Sequence, residues 1–166
     1  MDEKFHSITY GDLNLNEVIS SIKLFLESDI NAKYSLIIGT DSHEKVDGTG
    51  KKMINLVTAI VVYRQGFGGQ YFWKRRYHYN IHTLRDKIYA ETMDSLNFAI
   101  MFVPEFQKSL NGKSLKYDLE IHVDVGEHGQ TREMIKEVVG MITGNGFVAK
   151  TKPQAYGASY VADKHT

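Results

Sequence analysis

Apolar residues recur along this chain with two periods, one typical of helices and one typical of strands. Helical spacing predicts four helices, at about 15–28, at 83–103, from about 131 to the stop at Gly144–Gly146, and from Pro153 onward. Apolar or alternating runs predict five strands, at 34–41, 53–63, 70–79, 116–125 and 147–151. The predicted order of elements is therefore α-β-β-β-α-β-α-β-α.

Glycine and proline indicate where these elements end. Gly66–Gly69 separates two β-branched-rich runs and predicts a hairpin, and the polar stretch 42–52 is interpreted as a loop. Pro104 follows the long second helix, where a stop is expected. Pro153 is predicted to open the last helix, since proline suits a first helical turn.

The order of elements predicts an α/β fold with one five-stranded mixed sheet, its first three strands antiparallel, and helices on both faces. Residues 1–30 are expected to form a helical extension packed on this sheet. With 166 residues and no linker, repeat or low-complexity tract, a single domain over 1–166 is predicted.

Composition narrows the class of protein. The absence of cysteine excludes a disulfide framework, a thiol nucleophile and a cysteine-ligated metal site. The longest apolar run, 56–63, is too short to span a membrane, and the N-terminus lacks the pattern of a secretory signal. We therefore expect a soluble cytoplasmic protein without membrane association.

The formal net charge is zero, but the charges are unevenly distributed. Residues 64–87 contain six basic residues and one acidic residue, between acidic segments on either side. Such a basic stripe is typical of a phosphate-binding surface, and equally of a solvated strand or hairpin.

The strand at Tyr71–Tyr79 interleaves aromatic rings with cations, a pattern that suits nucleic acid because rings stack on bases and cations bind phosphates. Alternation places Trp73 and Arg75 on one face and Arg76 on the other. The candidate nucleic-acid-binding residues are Trp73, Arg75, Arg76, Lys150 and Lys152. The alternative is an edge strand protected by charge.

Four carboxylates are candidate metal ligands and catalytic residues. Asp41 and Asp124 end predicted strands, Glu91 lies on the predicted sheet-facing side of the long helix, and Asp163 lies near the end of the chain. Buried carboxylates need a partner, and hard oxygen ligands suit Mg²⁺ or Mn²⁺. Taken singly, each has an ordinary alternative as a turn, cap or surface charge.

The segment Asp124–Thr131 contains glycines at a strand-to-helix junction, where backbone N–H groups can bind an anion. It is also a plain turn with Thr131 as the N-cap, and it contains no nucleotide-binding glycine motif. Four histidines lie next to the acidic candidates in the sequence and are candidates for proton relay or for structural hydrogen bonds: His43, His122, His128 and His165.

Several motifs resemble the YkuK-type ribonuclease H-like family, a bacterial family. They are Gly39–Ser42, Tyr89–Glu91, His122–Gly126 and, most specifically, the tail Lys152–Lys164. The resemblance implies metal ligation by Asp41, Glu91 and Asp124, with Asp163 as the fourth carboxylate. One departure is Ser42, which stands where ribonucleases H usually have glycine.

The resemblance implies a Mg²⁺- or Mn²⁺-dependent nuclease that hydrolyses phosphodiester bonds of RNA or DNA. A catalytically inactive module that binds nucleic acid or a protein is the alternative, because one fold hosts many functions. A nucleotide-binding relative, with the loop 124–131 around phosphate, is a further alternative.

Overall fold

The computed structural model describes residues 3–155, 161–162 and 164–166 and has an α/β fold. Its strands are β1 (Phe5–Ser7), β2 (Gly11–Leu13), β3 (Tyr34–Val46), β4 (Lys52–Arg64), β5 (Gly68–His78), β6 (Tyr117–His122) and β7 (Val148–Lys150). Its helices are α1 (Leu15–Glu27), α2 (Leu84–Ser109) and α3 (Ile135–Gly144), with a short 3₁₀ helix at Arg132–Met134. Residues 161–162 and 164–165 are also helical.

One mixed sheet contains all seven of these strands, in the order β2-β1-β5-β4-β3-β6-β7. The long strands β3, β4 and β5 form the predicted antiparallel meander, and β6 pairs with β3 in parallel. The five predicted strands are confirmed as elements, but their number was wrong. The hairpin β1–β2 adds two strands of three residues each, too short to give a periodic signal in the sequence.

The main core lies between one face of the sheet and the helices α1, α2 and α3. Asn14 is the N-cap of helix α1: its side chain accepts a hydrogen bond from Glu17 N, and the Glu17 carboxylate accepts one from Asn14 N. Its apolar positions Val18, Ile22 and Leu26 are fully buried against the sheet. The predicted first helix is thus confirmed to within one residue.

The opposite face of the sheet carries a smaller apolar cluster. Val57 and Ala59 of β4 pack there against Ala162, with Trp73 beside them. The three helices with full bounds therefore share one face of the sheet, and the described C-terminal residues cover part of the other. Among the helices in the described ranges, none combines the length and apolar character needed to cross a membrane.

The predicted end of β3 at residue 41 was wrong, because backbone hydrogen bonding to β4, rather than polarity, decides where this strand ends. Residues 42–46, predicted as loop, pair with the first residues of β4. The connection is only the turn 47–51, where Asp47 Oδ1 accepts hydrogen bonds from Thr49 N and Lys51 N. The turn at Gly66, with φ of 83°, is in the predicted place.

Two proline predictions were also wrong. Helix α2 continues past Pro104 to Ser109, because the buried rings of Phe102 and Phe106 stack on the helix face that packs on the sheet. Pro153 lies in a turn rather than opening a helix, since the carbonyl of Thr151 accepts a hydrogen bond from Ala155 N.

Candidate functional site

Strand β3 presents polar side chains on both faces of the sheet. Thr40 and Ser42 point toward α2, where Thr40 Oγ1 lies 2.8 Å from Ser95 Oγ. Because successive residues of a strand point to opposite faces, Asp41 between them points away from α2. Asp41 is 9% exposed and lies inside β3, which extends five residues beyond the predicted end.

Glu91 is buried on the sheet-facing side of α2, as the helical spacing predicts, with 3% of its surface exposed. The Ser42 hydroxyl donates a hydrogen bond of 2.6 Å to Glu91 Oε1. The pKa of Glu91 is raised to about 8. Burial is the largest cause, the charges of Asp41 and Asp124 add to the rise, and the Ser42 hydrogen bond and Lys87 oppose it. The charges of Asp41 and Asp124, which come from distant parts of the sequence, therefore both act on Glu91.

Asp124 lies two residues beyond the end of β6. The parallel pairing of β3 and β6 ends at Gly39 beside His122, and Asp41 and Asp124 each lie two residues beyond this last pair. The Asp124 side chain is 34% exposed, and its Oδ1 is 2.6 Å from Lys152 Nζ. Asp124 is thus the most accessible of the three described carboxylates, and it already has a cation as its partner.

The three carboxylates fit a hard dication by their chemistry, since Mg²⁺ and Mn²⁺ prefer carboxylate oxygens. Their arrangement fits less well: within the ranges that the structure describes, no three His, Asp or Glu side chains are placed to hold one ion. Asp41 and Glu91 point to opposite faces of the sheet, and Ser42 and Lys152 each contact one carboxylate oxygen. Asp163, predicted as the fourth ligand, lies outside the described residues.

His122 is the buried histidine beside this group. It is 4% exposed, its Nε2 lies 3.0 Å from Glu120 Oε2, and its Nδ1 is buried without a hydrogen-bond partner in the described residues. His43 Nδ1 lies 2.9 Å from the Ser42 carbonyl oxygen, and His128 is exposed. A role for these histidines in proton transfer stays a prediction.

The loop between β6 and the 3₁₀ helix is closed by its own hydrogen bond. Thr131 Oγ1 accepts a hydrogen bond of 3.2 Å from Gly126 N. Thr131 precedes a helix of three residues and its side chain makes no cap hydrogen bond there. The predicted N-cap role of Thr131 is therefore wrong, because its hydroxyl serves the loop instead.

Strand β5 has internal partners on both of its faces. The Trp73 ring stacks on the His165 ring with centroids 3.7 Å apart, and Arg75 Nη2 donates to the His165 carbonyl at 2.7 Å. On the other face, the Arg76 guanidinium pairs with Asp94 of α2. Strand β5 pairs with β4 along its length and with β1 at Trp73, so it is not a bare edge.

The two predicted lysines lie near Asp124. Lys150 is half-buried on β7, beside His122 in the register, and Lys152 forms the ion pair with Asp124. The role of these lysines, and of the β5 side chains, in binding nucleic acid stays a prediction.

Sequence reasoning missed the hydroxyl groups that line the helix face of the sheet. Thr40 Oγ1 contacts both Thr58 Oγ1, at 2.9 Å, and Ser95 Oγ, while Ser42 bonds Glu91. The available signal was polar residues at even spacing inside apolar strands, together with Ser95 on the same helical face as Glu91. Such residues need buried partners, and here they partner one another.

Comparison of the sequence with known proteins identifies the family of this chain. Residues 17–166 match the family described as Ribonuclease H-like. The chain belongs to the ribonuclease H-like family. It is also 31% identical over 170 residues to the protein of Bacillus subtilis (strain 168) called uncharacterized protein YkuK, covering 98% of this chain and 96% of that protein. No solved structure matches the chain. The predicted YkuK-type ribonuclease H-like membership is thereby confirmed.

Proposed function

We propose that this ribonuclease H-like protein is a divalent-metal-dependent nuclease that hydrolyses phosphodiester bonds of RNA or DNA. The residues that would hold Mg²⁺ or Mn²⁺ are Asp41, Glu91, Asp124 and Asp163. The observation that supports this most is the burial of Glu91 near Asp41 and Asp124, whose charges both add to the rise in its pKa that burial causes. Carboxylates brought together at such a cost are typical of functional sites.

Divalent ions of this type promote phosphodiester hydrolysis by lowering the pKa of water and stabilising the leaving oxygen. The chain's own residues would set the carboxylates in place. The Ser42 hydroxyl fixes the orientation of Glu91, and Lys152 holds the Asp124 carboxylate at the exposed side of the sheet.

The test is a cleavage assay with labelled single-stranded RNA, single-stranded DNA, duplex and hybrid substrates, in Mn²⁺ or in EDTA. We expect cleavage in Mn²⁺, none in EDTA, and a loss of at least about 100-fold for Asp41→Asn and Asp124→Asn, the range found when charge-stabilising groups are removed. Asp118→Asn is the matched control, because Asp118 is an exposed carboxylate on β6. Unchanged cleavage by both site variants would assign the activity to a contaminant.

The second candidate function is a non-catalytic module that binds nucleic acid or a protein. It is favoured by the contacts of Glu91 with Ser42 and of Asp124 with Lys152, which satisfy the carboxylates without an ion. Salt-sensitive binding of the same substrates, with no cleavage in Mn²⁺, would identify this function.

A further inference from the structure

A separate cleft of about 640 Å³ lies on the helix face of the sheet, between the first turn of α1, helix α2 and strand β5. Its volume is in the range of small-molecule sites. Lys74 and Arg76 of β5 lie along its floor, Asn97 and Met101 of α2 form one wall, and Glu3 enters from the N-terminal residues. The described carboxylates of the proposed nuclease site, Asp41, Glu91 and Asp124, do not line it.

The floor of the cleft is in register with the polar row of β3. Lys74 pairs with Thr58, which pairs with Thr40, and Arg76 pairs through Leu56 with Ser42. All these side chains share the helix face of the sheet. Since neighbouring strands lie about 4.8 Å apart, the cations are roughly 10 Å across the sheet from β3. Thr58 of β4 also lines the cleft, so the cleft begins one strand from β3 and its two cations lie two strands from the Ser42–Glu91 contact.

Lys74 and Arg76 each contact a carboxylate of the protein that a ligand anion could replace. The Lys74 ammonium lies 5.0 Å from the centre of the Phe98 ring and 2.8 Å from Glu3 Oε1. Arg76 is 59% exposed although it pairs with Asp94, whose side chain is 11% exposed. Lys74 and Arg76 both lower the pKa of Asp94 against the larger effect of its burial, so both charges act on the same wall.

Among the described residues, the charged side chains on the helix face that line this cleft are the cations Lys4, Lys74 and Arg76 and the carboxylates Glu3 and Asp94, so cations outnumber acidic groups there. Glu3 is half-exposed and its carboxylate sits on Lys74, in the position that an oxygen of an anionic ligand would take. Lysine and arginine side chains, side-chain amides and an apolar wall together suit a ligand with both a phosphate group and a less polar part.

We propose that the cleft binds the phosphate group of a nucleotide, with Lys74 and Arg76 as its charge partners and Glu3 as the internal carboxylate that it displaces. The nucleotide is either free or part of a nucleic-acid strand. This inference does not depend on the proposed nuclease activity, because binding at Lys74 and Arg76 requires neither the metal nor the carboxylates Asp41 and Asp124.

The test measures binding in EDTA, with Asp124→Asn as the background so that cleavage cannot interfere. The probes are a fluorescent single-stranded oligonucleotide, adenosine monophosphate and inorganic phosphate. We expect Lys74→Met to weaken binding of the oligonucleotide or of the monophosphate roughly tenfold, the effect of losing one charge-assisted hydrogen bond. Loss of one phosphate contact should also reduce the salt slope of oligonucleotide binding by about one.

Arg76 is tested with the double variant Arg76→Gln/Asp94→Asn, which avoids leaving the buried Asp94 carboxylate without its cation. Glu3→Gln should tighten binding several-fold, because the ligand no longer competes with a carboxylate for Lys74. Lys136→Met and Arg132→Gln are matched controls, since both residues are exposed and lie outside the cleft. Thermal unfolding confirms that each variant is folded.

The outcomes separate the two sources of phosphate. Binding of adenosine monophosphate that competes with the oligonucleotide assigns the cleft to a free nucleotide or a strand end, and binding of the oligonucleotide alone assigns it to a strand. Equal affinity of the cleft variants, the controls and the parent protein would overturn the proposal, as would the absence of binding by every probe. Failure of cleavage in Mn²⁺ would leave these results unaffected.

Discussion

Glu91 is a buried carboxyl group whose ionisation is unfavourable in the folded protein. Its pKa in the folded protein is about 8, against an ordinary value of 4.5, because burial and two neighbouring carboxylates disfavour its charge. The folded state therefore keeps a proton that the unfolded state releases above about pH 4.5. This group lowers the free energy of unfolding as pH rises from about 4.5 to 8, and its effect is constant above that range.

Glu91→Gln should remove this pH dependence. Relative to the parent protein, the variant is expected to gain stability between pH 5 and pH 8, by an amount on the order of a few kcal/mol. Urea unfolding at both pH values in EDTA measures the change. Glu105→Gln, an exposed position on the same helix, is the control and should leave the pH dependence as it is. Parallel pH profiles for the parent and Glu91→Gln would refute this account.

At the scale of single residues, the sequence identified a polar residue at a position where the helical pattern predicts burial. Glu91 stood out because a carboxylate lay on an apolar helix face, and the structure confirms its burial. The orientation of Asp41 away from Glu91 was not predicted, because it depends on the strand continuing through Ser42. The partners Ser42 and Lys152 were not predicted either, because each is set by the tertiary arrangement of two elements.

At the scale of elements, helix α2 shows packing overriding a local stop signal. Proline has no N–H, so at position 104 the helical hydrogen bond to the carbonyl of Ile100 cannot form. The helix continues because Phe98, Phe102 and Phe106 stack in sequence, with centroids 5.4 Å apart at each step. Their burial offsets a cost that the sequence alone assigned to a helix end.

Pro104→Ala should therefore stabilise the protein. We expect the free energy of unfolding to rise by about 1–3 kcal/mol, because alanine restores the missing N–H and favours a helix interior. Chemical denaturation measures the difference. Glu105→Ala, the exposed neighbour, serves as the control and should change stability by less than about 0.5 kcal/mol. A loss of stability in Pro104→Ala would mean that the proline ring itself contributes to packing.

On the scale of the whole molecule, the two faces of the sheet are covered in different ways. Three helices bury one face in a large core, whereas the described C-terminal residues contact the other through few side chains. His165 stacks on Trp73 and accepts two hydrogen bonds from Arg75 through its backbone carbonyl. The amphipathic pattern predicted the helix face well, but it gave no indication of these contacts because they join residues about 90 positions apart.

His165→Ala should change the fluorescence of Trp73, which is the single tryptophan of the chain. Loss of the stacked ring exposes the indole, so the emission is expected to shift to longer wavelength while the main core stays folded. Burial lowers the pKa of His165, and Arg75, Lys164 and His6 lower it further. Protonation below about pH 6.5 therefore disfavours the docked state, and acidification should produce a similar shift.

The measurement is made in a His6→Ala background, because the His6 ring also lies 5.7 Å from Trp73. His78→Ala is the control, since His78 is exposed and makes its hydrogen bond to Tyr79. An emission spectrum that is the same with and without His165 would contradict the stacked arrangement.

The two outermost of the described strands, β2 and β7, have three residues each and lie outside β1 and β6, at the two edges of the sheet. A short edge strand offers few unpaired backbone N–H and C=O groups to a second molecule, so edge-to-edge pairing of sheets between molecules is disfavoured. We therefore expect a lengthened β2 or β7 to promote pairing of sheets between molecules.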